Sequence, residues 1–145
     1  MYTTDKPTLQ EFHIEGVKHI GPKDALDLVQ KNEAVLIDVR EQNEVALESM
    51  PLENVLYHPM SVIMDRLPYI AKGQNIILGC PGGVRSSKVA NLLNMNGYAN
   101  VANLDGGFKT WKEKGLPWKK HLSFVMATGC GCSTSKSDSA KGECC

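Results

Sequence analysis

The sequence predicts an α/β fold, a five-stranded and mostly parallel sheet with helices on both faces, and three observations predict it. Two short apolar runs, at 34–39 and 75–79, read as strands buried on both sides, as the central strands of a parallel sheet are. Amphipathic helical patterns fall between the strand candidates, the alternation that builds βαβ units. The chain has 145 residues, enough for one domain that buries roughly 68–70% of the surface its unfolded form exposes, so neither disulfide nor metal is needed to hold a core.

Strand candidates at 17–20, 55–58 and 101–104 complete the five, each short and flanked by Gly, Pro or Asn. Gly21 and Pro22 open the first helix. Proline at the first helical position loses no hydrogen bond, and Ala25, Leu26 and Val29 share one face, so a helix runs from Pro22 to Gln30. After Arg40, Glu41 and Glu44 suit the positive end of a short helix whose apolar contacts are Val45 and Leu47. Ile63, Leu67 and Ile70 keep helical spacing behind Ser61 as a cap, and Pro68 stops that helix within a turn or two. The clearest helix spans 86–96: Ser86 or Ser87 caps it, Val89, Leu92 and Leu93 form its buried stripe, and Gly97 takes the left-handed position past its end. The last, at 107–114, carries Phe108 and Trp111 three apart and stops at Gly115, with Pro117 beyond. From residue 123 the chain turns to Gly, Ser and Cys with almost nothing to bury. A disordered tail at 123–145 is therefore expected beside a folded domain at 1–122.

Charge and composition narrow the function. Sixteen Lys and Arg balance 16 Asp and Glu for a net charge of +0, and the basic residues are scattered, so no field draws the protein to nucleic acid. The longest apolar runs, such as Ile76 to Leu78, fall far short of the ~20 residues that span a bilayer, so no membrane partner is expected. The opening residues lack the basic head and apolar stretch of a secretory signal, which places the protein in the cytoplasm. Of the five cysteines, Cys80 stands alone inside the domain, while Cys130, Cys132, Cys144 and Cys145 crowd the tail, a pattern unlike a secreted disulfide framework.

Cys80 follows a buried strand and precedes a capped helix, the place where open parallel sheets gather ligands. Read alone, a cysteine at the end of an apolar strand is a core filler. Its neighbours point the other way. Gly82 and Gly83 let the backbone curl with its N–H groups inward, and the helix behind them adds unpaired amides and a positive dipole end. Such a nest, with Arg85 nearby, favours a thiolate over the thiol of ordinary pKa about 8.5. The guanidinium of Arg85 offers a planar fork of donors to an oxyanion above the sulfur, which assigns it donor preference.

Three motifs in order resemble the rhodanese family of sulfurtransferases in its small single-domain form: LIDVRE at 36–41, CPGGVRS at 80–86 and LDGGFKTWKEKGLP at 104–117. GPKDAL at 21–26 is similar to the family's opening helix, and the match spans residues 17–118. The resemblance implies a rhodanese-like fold and a ping-pong sulfur transfer. Cys80 takes sulfur from a small anionic donor such as thiosulfate or polysulfide, holds it as a persulfide, and passes it to a thiol, cyanide or protein-cysteine acceptor, with no metal and no cofactor. It also implies a cradle of backbone amides from Gly82, Gly83, Val84, Arg85 and Ser86, with the Ser86 hydroxyl as a further donor. Asp38 has a supporting place beside the loop, either orienting its amides or holding local backbone hydrogen bonds. Arg40 reads as a surface ion-pair residue, Gly106, Gly107 and Trp111 as structural, and the four histidines as ordinary packed or surface residues. The segment ESMPLE at 48–53 departs from the turn the family commonly places there.

Two rivals use other chemistry. Cysteine phosphatases and arsenate reductases place five residues between Cys and Arg behind a histidine, whereas Gly79 precedes Cys80 here and four residues, Pro81, Gly82, Gly83 and Val84, intervene. A sulfur or soft-metal carrier would use Cys130, Cys132, Cys144 and Cys145, whose spacing is not that of paired structural zinc ligands.

Overall fold

The computed structural model describes residues 1–121, and no helix among them is long and apolar enough to cross a membrane. The tail expected at 123–145, with its four cysteines, lies outside the described residues. The chain divides into two compact units.

The larger unit, residues 1–41 and 50–117, contains the expected sheet. Its strands are β1 (Lys18–Ile20), β2 (Val35–Asp38), β4 (Val55–Tyr57), β5 (Ile76–Gly79) and β6 (Val101–Leu104), with β3 assigned below to the smaller unit. The order is β1-β6-β5-β2-β4 and every pairing is parallel. All five strands thus end on the same edge, and in register Asp38 of β2 faces Gly79 of β5. Alternate residues serve opposite faces. Ile37, Ile76 and Leu78 pack in one apolar cluster with Val89, Ala90 and Leu93 of α4 (Val84–Met95). On the other face Phe108 of α5 (Gly107–Glu113) lies against Gly79. A side chain at Gly79 would meet that ring at 2.6 Å, which is why β5 ends in glycine.

The first helix, α1 (Pro22–Gln30), has the expected bounds, with Gly21 as its N-cap and Ala25 and Val29 buried. Three expectations need correction. The helix at 86–96 begins two residues earlier, at Val84: Gly83 adopts the left-handed φ of 87° and forms the N-cap, so neither serine caps it. Ser87 instead sits inside the first turn and its hydroxyl donates to the Gly83 carbonyl at 2.6 Å. Ser61 caps nothing. It lies within a 3-10 turn, Met60–Val62, ahead of the single helical turn α3 (Ile63–Arg66), and its hydroxyl donates to Glu41 at 2.7 Å. Arg40, expected at the surface, is 4% exposed and bound to Asp38.

The amino-terminal segment has no periodicity of its own. Thr4 and His19 exchange backbone hydrogen bonds of 2.8 and 2.9 Å along the outer edge of β1, and Asp105 anchors the next turn by accepting the N–H groups of Thr8 and Leu9 at 2.8 and 3.1 Å.

The smaller unit comprises residues 42–49 and the chain from Trp118. Here α2 (Gln42–Leu47) is the short helix expected after Arg40, but none of its residues is buried and Leu47 is exposed, because a helix of under two turns presents no continuous stripe. It runs into β3 (Glu48–Ser49), which pairs antiparallel with β7 (Lys119–Lys120). Ser49 and His121 share a side-chain hydrogen bond of 2.9 Å, and the Trp118 indole donates to Glu48 at 2.5 Å.

Candidate active site

Cys80 is the first residue beyond β5. Its side chain is 1% exposed, at the end of the apolar cluster on the α4 face. Two backbone donors point at the sulfur: the Gly83 N–H at 3.1 Å and the Ser86 N–H at 3.3 Å. The Ser86 hydroxyl oxygen lies 3.3 Å from the same atom. The left-handed Gly83 makes this possible, since it reverses the chain tightly enough to begin α4 within hydrogen-bonding reach of the residue before the turn.

The outside of the loop is held by α5. Its first amides, at Phe108 and Lys109, donate to the carbonyls of Cys80 and Pro81 at 2.9 and 3.0 Å. Gly107, at φ 67°, brings the two backbones so close that a Cβ there would stand 2.6 Å from the Cys80 oxygen. Gly106 and Gly107 are therefore the tight turn expected of them. Trp111 is fully buried, with its indole N–H donating to the Pro117 carbonyl at 2.8 Å.

Of the residues expected in the cradle, Cys80, Gly83 and Ser86 converge. Gly82 and Val84 lie on the exposed rim, and Arg85, in the first turn of α4, is half-buried. Both carboxylate oxygens of Asp38 are engaged by Arg40, through the backbone N–H at 3.0 Å and the guanidinium at 2.8–3.1 Å, and that guanidinium lies over the Phe108 ring. A groove of about 400 Å³ runs beside the loop, lined by Leu9, Phe12, Gly82, Val84, Lys109 and Thr110.

Several residues at the site were missed by sequence reasoning. Ser86 Oγ donates to Asn103 Oδ1 at 2.5 Å. Asn103 Nδ2 lies 3.0 Å from both Gln10 Oε1 and His19 Nδ1, and His19 Nε2 lies 2.9 Å from His13 Nδ1. Gln10 Oε1 also accepts the Gly106 N–H, while its Nε2 donates to the Phe12 and Gly83 carbonyls. Burial holds His19 below the ordinary imidazole pKa of 6.5; the neighbouring His13 pushes the same way and Asp105 opposes. Only Asn103 left a trace in the sequence, as a polar residue inside a buried strand. Gln10 left none, because apart from Phe12 the groups it binds are more than 70 residues away.

The Rhodanese-like domain profile matches residues 21–114. The chain belongs to the rhodanese-like domain family. Thiosulfate sulfurtransferase GlpE of Coxiella burnetii is 33% identical over 95 residues, which cover 66% of this chain and 87% of that protein. The solution structure of the polysulfide-sulfur transferase homodimer of Wolinella succinogenes superposes with a TM-score of 0.62 at 26% identity, covering 70% of this chain and 77% of that one. Similarity also extends to part of a larger protein whose name states another reaction. A tRNA uridine(34) hydroxylase of Erwinia tasmaniensis is 33% identical over 105 residues, which make up 65% of this chain but 29% of that protein.

Proposed function

We propose that residues 1–122 form a rhodanese-type sulfurtransferase with Cys80 as its nucleophile. The observation that supports it best is the pair of backbone N–H groups aimed at the Cys80 sulfur from the loop and first turn of a 12-residue helix. Such donors favour negative charge on that atom, first as thiolate and then on the outer sulfur of a persulfide.

In the first half-reaction the Cys80 thiolate attacks the outer sulfur of a donor such as thiosulfate. The new S–S bond takes the place of the bond to the sulfonate group, and sulfite leaves with the electron pair. In the second, an acceptor thiolate attacks the outer sulfur of the persulfide and returns Cys80 as the thiolate. Gly82, Gly83, Val84, Arg85 and Ser86 supply the cradle, and Arg85 meets the charge of the donor. Burial of Cys80 adds a size argument: a small terminal atom reaches the sulfur more easily than a bulky tetrahedral group, which favours sulfane sulfur over phosphoryl chemistry. The setting is the cytoplasm, where reduced thiols are abundant.

The test is intact mass after incubation with thiosulfate. The full chain is expected to gain one sulfur atom, removable by cyanide, and Cys80→Ser to gain none. Equal loading of the Cys80→Ser chain would assign the sulfur to the other cysteines and end this reading.

A further inference from the structure

We propose that Gln10 and Asn103 are positioning residues for this chemistry: together they commit the Ser86 hydroxyl proton to Asn103, so that Ser86 turns a lone pair, not a hydrogen, toward Cys80. The proposal rests on the sulfur-transfer reading and deepens it. Gln10 precedes the residues that match the family, which begin at 21.

The direction of each hydrogen bond follows from groups whose roles are unambiguous. The Gly106 backbone N–H only donates, and it donates to Gln10 at 2.9 Å; the Phe12 and Gly83 carbonyls only accept, and they accept from the other end of the same amide at 2.9 and 3.3 Å. Gln10 is thereby fixed with its oxygen toward Asn103. The Asn103 atom 3.0 Å from that oxygen must then be the NH2 group, which leaves the Asn103 oxygen facing Ser86. Ser86 has one proton and gives it to that oxygen at 2.5 Å. What remains for Cys80, 3.3 Å away, is a lone pair. The second Asn103 N–H points at His19 Nδ1, so His19 accepts there and its Nε2 carries the proton toward His13. These two histidines are the titratable groups on the network, and Asp105 beside it is occupied by Thr8 and Leu9.

The lone pair has a different value in each state of the sulfur. A resting thiol donates its S–H to it. A bare thiolate keeps the Gly83 and Ser86 amides but gains no proton from the Ser86 hydroxyl, and is the more nucleophilic for that missing donor. Once loaded, the inner sulfur is neutral, the charge moves to the outer atom, and the lone pair at 3.3 Å becomes an ordinary contact.

The experiment is a double-mutant cycle read by thiolate ultraviolet absorbance against pH, in the full chain, as the difference from the same chain carrying Cys80→Ala. Asn103→Leu releases the Ser86 proton to the sulfur. The titration midpoint is expected to move to lower pH by about one unit, and sulfur uptake per thiolate to slow about threefold. In the Ser86→Ala background the same substitution is expected to move nothing. Gln10→Met, on a half-buried side chain, gives a smaller shift in the same direction that also disappears with Ser86→Ala, and it decides the case if Asn103→Leu does not fold. An upward shift, no shift, or an equal shift with and without the Ser86 hydroxyl overturns the proposal. Absence of sulfur loading on the unaltered chain overturns the transfer reading, whereas equal shifts beside normal loading overturn the positioning role alone.

Discussion

Two buried polar side chains stand at the carboxyl ends of neighbouring strands, and they are satisfied in opposite ways. Asp38, closing β2, has a full charge partner: Arg40 covers both its oxygens and is itself stacked over Phe108. Cys80, just past β5, is met by dipoles, two backbone N–H groups and one hydroxyl oxygen. A carboxylate locked by a guanidinium has little left to offer a substrate. A sulfur surrounded by fixed dipoles keeps a lone pair to react and has the charge it develops stabilised in place. The same sheet edge thus holds a strut and the nucleophile we propose, and the difference lies in what each was given as a partner.

The comparison can be broken most forcibly at the strut. Asp38→Ala leaves the Arg40 guanidinium buried without its anion and is expected to lower unfolding free energy by about 3–5 kcal/mol, measured by urea denaturation. A loss no greater than that of a surface pair would show that Asp38 and Arg40 do not hold this edge. A smaller, graded effect comes from pH. His19 and His58 both titrate below the ordinary 6.5, His19 by burial and then His13, His58 by burial and then Arg66. The folded chain therefore binds fewer protons than the unfolded one in this range. That stability is complete above about pH 6.5 and is lost as pH falls toward the lower folded values. Urea midpoints are expected to drop as pH is lowered through 6.5, and His19→Gln to flatten that dependence; an unchanged slope would remove His19 from the account. The smallest effect belongs to the exposed pair of Asp27 and Lys31, 3.1 Å apart with both side chains 60% exposed. Lys31→Ala is expected to cost about 0.3–0.5 kcal/mol, and a cost matching that of Asp38→Ala would erase the contrast between buried and exposed charge.

What the sequence made legible were features written locally. Pro22 after Gly21 marks a helix start, Gly97 a helix stop, and an apolar run such as 75–79 a buried strand, since each depends on residues within a few positions of itself. The three motifs in order made the family readable. Misreadings arose where a local rule competed with tertiary structure. Ser86 and Ser87 satisfy the capping rule, but the left-handed Gly83 begins the helix sooner and sends the Ser86 hydroxyl to a strand 17 residues on. Arg40 reads as a surface cation until Asp38 and the Phe108 ring provide it with a buried seat. Gln10 was out of reach for the same reason: no spacing rule joins it to Asn103 or Gly106.

The segment around Thr8, Leu9 and Gln10 precedes the family's own span, yet it supplies partners to Asp105, Asn103 and Gly83. Truncation at the boundary drawn by similarity would strip those groups at once and leave the Asp105 carboxylate and the Asn103 amide without them. A shortened recombinant version is therefore a different reagent from the intact chain, with buried polar groups left unmatched, whatever its motifs have in common with the original.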